Sequence, residues 1–162
     1  MSEPREGVAA AGRVDVPGRL ELSAPADPET MDLVHAVLEQ LWAVHDDVSD
    51  RDRGRFETAV MEILGNIIEH AYQLDDGAEA KTPADGPRRF DIVLAATGDE
   101  LVASFGDNGM PVSLDLSDLA MPDADAESGR GLALAAAAVD DMSYERVEGR
   151  NHWRLRCVRE RR

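Results

Sequence analysis

The sequence predicts one α+β domain: a two-layer sandwich whose mixed, mostly antiparallel sheet is covered by helices on one face. Three observations carry this reading. The chain has 162 residues, enough for one domain with a real core. Apolar residues, 43% of the chain, recur at helical spacing in some segments and alternate in others. The segments run strand, two helices, two strands, helix, two strands, which is not the one-for-one alternation of a parallel α/β sheet.

Each element has a local cause. Residues Gly18 to Ser23 (GRLELS) read as a short strand. Asp27-Pro28-Glu29 supplies a cap, a proline at the first helical position and an early acid. Leu33, Val34, Val37, Leu38, Leu41 and Val44 then give a helix to about Asp46. A second helix is predicted from about Asp52 to Leu74, on the stripe Phe56, Val60, Ile63, Leu64, Ile67, Ile68 and Ala71. DDGAEAKTPADGP is a loop by its Gly, Pro and Asp content. RRFDIVLAA and ELVASFGD alternate around a TGDE turn and read as a hairpin. After the acidic run SDLAMPDADAES, GRGLALAAAAVDD reads as a glycine-started helix. MSYERV and NHWRLRCVRE close the chain as two strands, with Trp153, Leu155 and Cys157 on one face of the second. The expected organisation is a flexible tail over 1–17, the domain over 18–158 and a C-terminal tail over 159–162.

Composition narrows the function. Asp and Glu number 33 against 17 Lys and Arg, a formal charge of -16. That disfavours nucleic acid, whose phosphates need a basic footprint, and suits a basic protein surface or simple solubility. Cys157 is the only cysteine, so no internal disulfide forms. No stretch is long or apolar enough to span a membrane, and the first residues lack an apolar signal core. A cytoplasmic location without membrane contact is expected.

Three groups of residues carry candidate chemistry. On the second helix, Glu62, Asn66, Glu69, His70 and Gln73 fall within roughly one quadrant at ~100° per residue. An amide oxygen at Asn66 is a suitable hard ligand for Mg²⁺, and a carboxylate one turn away can take a proton from an attacking hydroxyl. In Phe105-Gly106-Asp107-Asn108-Gly109-Met110-Pro111, at a strand end, an aspartate can accept from a base amino group beside a glycine. Ser128-Gly129-Arg130-Gly131-Leu132 opens a helix, where free N–H groups and the positive helix end make an anion site. Each also fits an ordinary alternative: a solvated helix face, a turn, and a loop entering a helix. A P-loop and a dinucleotide fingerprint are absent, and His35, His45, His70 and His152 show no zinc spacing.

The ordered set is more specific than its parts. E-I-L-G-N-I-I-E-H-A-Y, F-G-D-N-G-M-P and S-G-R-G-L-A-L resemble the N, G1 and G2 boxes of the GHKL ATPases, which have the Bergerat, histidine-kinase-like fold. Within them the chain most resembles the stand-alone anti-sigma-factor serine/threonine kinases, through E-x-x-x-N-x-x-x-H-A-Y, the proline after the G1 glycine, and a closing Y-E-R-x-x-G-x-N-x-W-R-L.

The resemblance covers about residues 18 to 158. It implies ATP and Mg²⁺, with Asn66 coordinating the metal and Glu62 as general base. It implies that Asp107 and Gly109 bind adenine, that His70, Gly129, Arg130, Gly131 and Leu132 belong to the nucleotide site, and that about Asp115 to Ser128 forms a lid. It further implies transfer of the γ-phosphate to a serine or threonine of an anti-anti-sigma antagonist, sequestration of a sigma factor, and a homodimer. The alternative is a non-catalytic module that uses ATP only as a structural ligand while gripping a partner.

Overall fold

A computed structural model of the chain describes residues 18–71, 87–112 and 129–161. The expected tail over 1–17, the end of the second helix at Gln73 and Leu74, most of the loop after it and the lid lie outside the described residues. The element order is β1 (Leu20–Pro25), α1 (Thr30–Val44), α2 (Asp50–His70), β2 (Arg89–Ala96), β3 (Glu100–Asp107), α3 (Arg130–Ala138), β4 (Asp141–Val147) and β5 (Arg150–Val158). The strands form one five-stranded sheet in the order β1-β2-β3-β5-β4. Every pair among the described residues is antiparallel, in keeping with the expected mostly antiparallel sheet.

The pleat assigns each face. On β2, Phe90, Ile92, Leu94 and Ala96 are buried while Arg89 and Asp91 are exposed. On β3 the buried set is Leu101, Ala103, Phe105 and Asp107, and on β5 it is Asn151, Trp153, Leu155 and Cys157. The apolar ones among these meet Val34, Leu38 and Leu41 of α1 and Phe56, Val60, Ile63, Leu64 and Ile67 of α2 in one core. The helices therefore cover one face, and the polar alternate positions form the other.

Helix boundaries shift from the expected ones for local reasons. Helix α2 starts at Asp50 because Ser49 caps it: extended at ψ 150°, its hydroxyl accepts from the Asp52 N–H at 3.1 Å. Its described part runs to His70, where buried Arg88 donates from Nε to the Ala71 carbonyl at 2.9 Å, satisfying a helix-end acceptor. Helix α3 stops at Ala138 rather than Asp141, because Val139 turns extended and the Asp140 N–H bonds the Arg156 carbonyl at 3.0 Å. Helix α1 ends at Val44, two residues before Asp46.

A polar knot ties the sheet end to the start of α2. Asp52, 1% exposed, accepts from Arg55 Nε at 3.1 Å and from the Glu160 N–H at 2.9 Å. Burial raises its carboxyl, but the Glu160, Ser49 and Arg55 contacts outweigh this and leave it below its ordinary value. Between β4 and β5, Glu148 at φ 50° and Gly149 at φ 77° form a two-residue turn with both positions left-handed, the arrangement that matches strand twist in a tight hairpin.

Candidate nucleotide site

On the polar stripe of α2, Glu62, Asn66 and His70 are half-buried and Glu69 is exposed. The stripe walls a cavity of about 300 Å³ whose other side is the start of α3. Glu62, Asn66, Glu69 and His70 line one wall, and Gly129, Arg130, Gly131 and Leu134 the other. Two helices meet here because Phe56, Val60, Ile63 and Leu64 point away into the core, leaving the opposite quadrant of α2 for the groove.

The start of α3 is built for close approach. Gly129 sits at φ 96°, a left-handed position open to glycine at no steric cost. The first helical bond runs from the Ala133 N–H to the Gly129 carbonyl at 3.0 Å, so the amides of Arg130, Gly131 and Leu132 precede the intrahelical ladder. A Cβ added at Gly131 would lie 2.6 Å from Glu62 Oε2. The Glu62 carboxylate therefore rests against the bare Cα of Gly131, at the mouth of a helix N-terminus. Arg130 is exposed and borders the same cavity.

Asn66 and His70 also line a second space, with Ile67, Asp107, Gly109, Met110, Val112, Asn151 and Trp153. The two spaces form one groove through these shared residues. Its inner end narrows to about 10 Å³. Asp107 is the last residue of β3, on the inward face, and 3% exposed. Its Oδ1 accepts from the Gly109 N–H at 2.8 Å and from Asn151 Nδ2 at 2.9 Å. Its Oδ2 is buried and has no hydrogen-bond partner among the described residues. Burial pushes the Asp107 carboxyl above its ordinary value, with the Asn151 and Gly109 contacts and the charges of Arg150 and Arg146 acting the other way. Gly109 is required by space: a Cβ there would fall 2.8 Å from Asp107 Oδ1.

The structure thus brings Glu62, Asn66, His70, Gly129, Arg130 and Gly131 to one end of the groove and Asp107 and Gly109 to the other. Leu132 contributes only its backbone at this end. Its side chain is 0% exposed and closes the core, because the residue one past Gly131 faces the sheet, so Leu134 lines the cavity instead. Sequence reasoning missed Asn151, which lines the inner space. The signal was present for Asn151, a polar residue on the apolar face shared by Trp153, Leu155 and Cys157, and paired in register with Asp107.

A narrow acceptor pocket, an amide and a carboxylate on one helix face, and a glycine-started helix across from them define a nucleotide-binding ATPase fold. The chain matches the histidine kinase-like ATPase domain over residues 24–157 and belongs to that family. It is similar to the serine-protein kinase RsbW of Bacillus thuringiensis (strain Al Hakam) and to that of Bacillus cereus (strain AH820), each 26% identical over 136 residues, or 81% of this chain and 79% of the relative. This agrees with the resemblance to the anti-sigma kinases read from the motifs.

Two solved structures share the fold. The RsbU and RsbW domains of Rv1364c from Mycobacterium tuberculosis align at a TM-score of 0.59 and 19% identity, over 88% of this chain. The chain spans 33% of that longer protein. The SiaB-SiaC complex from Pseudomonas aeruginosa aligns at 0.54 and 17%, over 86% of this chain and 89% of the matched one.

Proposed function

We propose that this protein is a cytoplasmic, ATP-dependent serine/threonine kinase and anti-sigma regulator, which phosphorylates an antagonist protein and sequesters a sigma factor. The observation that carries the reading is the placement of Glu62 against Gly131, with Asn66 one turn further along the same wall. The relatives named serine-protein kinase support the chemistry, and the SiaB-SiaC structure, a complex of two proteins, supports a protein partner.

In this reading the base enters beside Asp107, displacing the unbranched side chain of Met110, and its amino group meets Asp107 Oδ2. The phosphates lie along the groove toward the free amides of Arg130, Gly131 and Leu132, with the Arg130 guanidinium adding a charge-assisted contact. A single amide beside a carboxylate suits Mg²⁺, which keeps waters and takes phosphate oxygens; held by Asn66, it would neutralise charge on the transferring group. Glu62 accepts the proton of the partner's hydroxyl as that oxygen bonds to the γ-phosphorus and the bond to the bridging oxygen breaks, releasing ADP. The protein acts as a homodimer.

The test is Glu62→Gln. Calorimetry should give ATP affinity close to wild type, while phosphotransfer to the antagonist falls by about 10²–10⁴. Transfer at the wild-type rate removes Glu62 as base. Absence of transfer by the wild type to the antagonist it binds would favour the non-catalytic module.

A further inference from the structure

We infer that Tyr144, Arg146 and Asn151 form a clamp that locks Asp107 as a one-sided acceptor, and so set the preference of the pocket for a 6-amino over a 6-keto purine nucleotide. The inference rests on the ATP site proposed above and adds three residues outside its motifs.

The clamp follows from donor and acceptor chemistry alone. Arg146 Nη1 can only donate, so the Asn151 atom 2.8 Å from it is the amide oxygen. The Tyr144 hydroxyl donates to that same oxygen at 2.6 Å. Asn151 must therefore turn its NH₂ the other way. There it meets two acceptors, Asp107 Oδ1 at 2.9 Å and the Met110 carbonyl at 2.8 Å. With the Gly109 N–H also on Oδ1, that oxygen is filled, and Asp107 keeps one unmet atom, Oδ2.

The same residues hold the backbone that follows Asp107 and lines the same space. Tyr144 spends its proton on Asn151 and accepts the Val112 N–H at 3.0 Å. Arg146 Nη1 also donates to the Gly109 carbonyl at 3.1 Å. The backbone from Gly109 to Val112 is thereby fastened at three points, by side chains from β4 and β5. Tyr144 is itself packed on Trp153, ring centroids 4.6 Å apart, which limits its movement.

The orientation gives selectivity. A 6-amino group offers a proton to Oδ2. A 6-keto oxygen in the same place faces carboxylate lone pairs, and a clamped Asp107 has no rotation that relieves this. Loosening the clamp lets Asp107 turn. The amino base then loses its hydrogen bond, while the keto base is relieved of the repulsion.

The experiment titrates ATP and GTP, each with Mg²⁺, into the wild-type protein, Tyr144→Phe and Arg146→Met by calorimetry, with thermal unfolding alongside. Tyr144→Phe keeps the ring against Trp153 and removes the hydroxyl, and Arg146 is exposed, so both variants fold. Each should lose about 5-fold in ATP affinity and lower the ATP:GTP preference by about tenfold. A merely structural role would weaken both nucleotides alike. Equal losses, or an unchanged ratio in both variants, overturn the clamp and leave the ATP site standing. A wild-type protein that binds neither nucleotide overturns the site and the clamp together.

Discussion

Replacing Asp107 by asparagine should raise the stability of the nucleotide-free protein while removing its affinity for ATP. The two effects have one source. Oδ2 is a buried, partly charged atom with no partner among the described residues, in a side chain 3% exposed. Such an atom costs about 1–3 kcal/mol. Asparagine has the same shape, and its oxygen can keep the bonds from the Gly109 N–H and Asn151 Nδ2, at 2.8 and 2.9 Å in the wild type. It then places a neutral NH₂ where the carboxylate oxygen stood. We expect a gain of about 1 kcal/mol at pH 7, a rise of about 2–4 °C in Tm for a domain of this size.

The sign with pH follows from burial. The folded carboxyl lies above its ordinary value of 3.8, so the wild type is favoured while protonated and loses ground as pH rises through the folded value. The advantage of asparagine should thus be full at pH 7 and shrink toward pH 4. ATP affinity should fall at least about tenfold, or 1.4 kcal/mol, because a base amino group now meets another donor. Thermal unfolding and calorimetry at two pH values read both effects. A variant that is less stable than wild type and still binds ATP at full strength would refute the reasoning.

Two further outcomes follow from contacts already described. Gly131→Ala improves helix propensity by about 1 kcal/mol, so Tm should hold or rise, yet its Cβ would lie 2.6 Å from Glu62 Oε2 and phosphotransfer should drop by about tenfold or more. Asp52→Asn should cost about 1–3 kcal/mol at pH 6, read by urea unfolding; because the Asp52 carboxyl is held below 3.8, the gap should close as pH falls beneath that value.

The fold was legible where periodicity was strong. The alternation of Phe90, Ile92 and Leu94, and the stripe from Phe56 to Ile67, placed β2 and α2 on their correct faces. Element ends were less legible because tertiary partners set them: Arg156 at the end of α3 is distant in sequence from the residues it stops. Around the groove, Glu62, Asn66, Asp107, Gly109, Gly129 and Gly131 of the local motifs all line its walls. The motifs did not show that Asn151 faces Asp107, since that depends on β5 lying beside β3 across the intervening α3 and β4. Nor did they show that the Leu132 side chain turns into the core and leaves only its amide toward the groove.

The position of β5 between β3 and β4 has a consequence for how the chain matures. A nascent chain that has emerged only through β4 holds the motif helix, the aspartate and the glycine turn, yet the inner edge of β3 has no neighbour. Unpaired edges of this kind invite association with other chains. Nucleotide gives little protection at that point, because a ligand stabilises only states that bind it, and Asp107 is not yet held by Asn151. Insertion of β5 joins β3 to β4 and brings Asn151 to Asp107 in the same step.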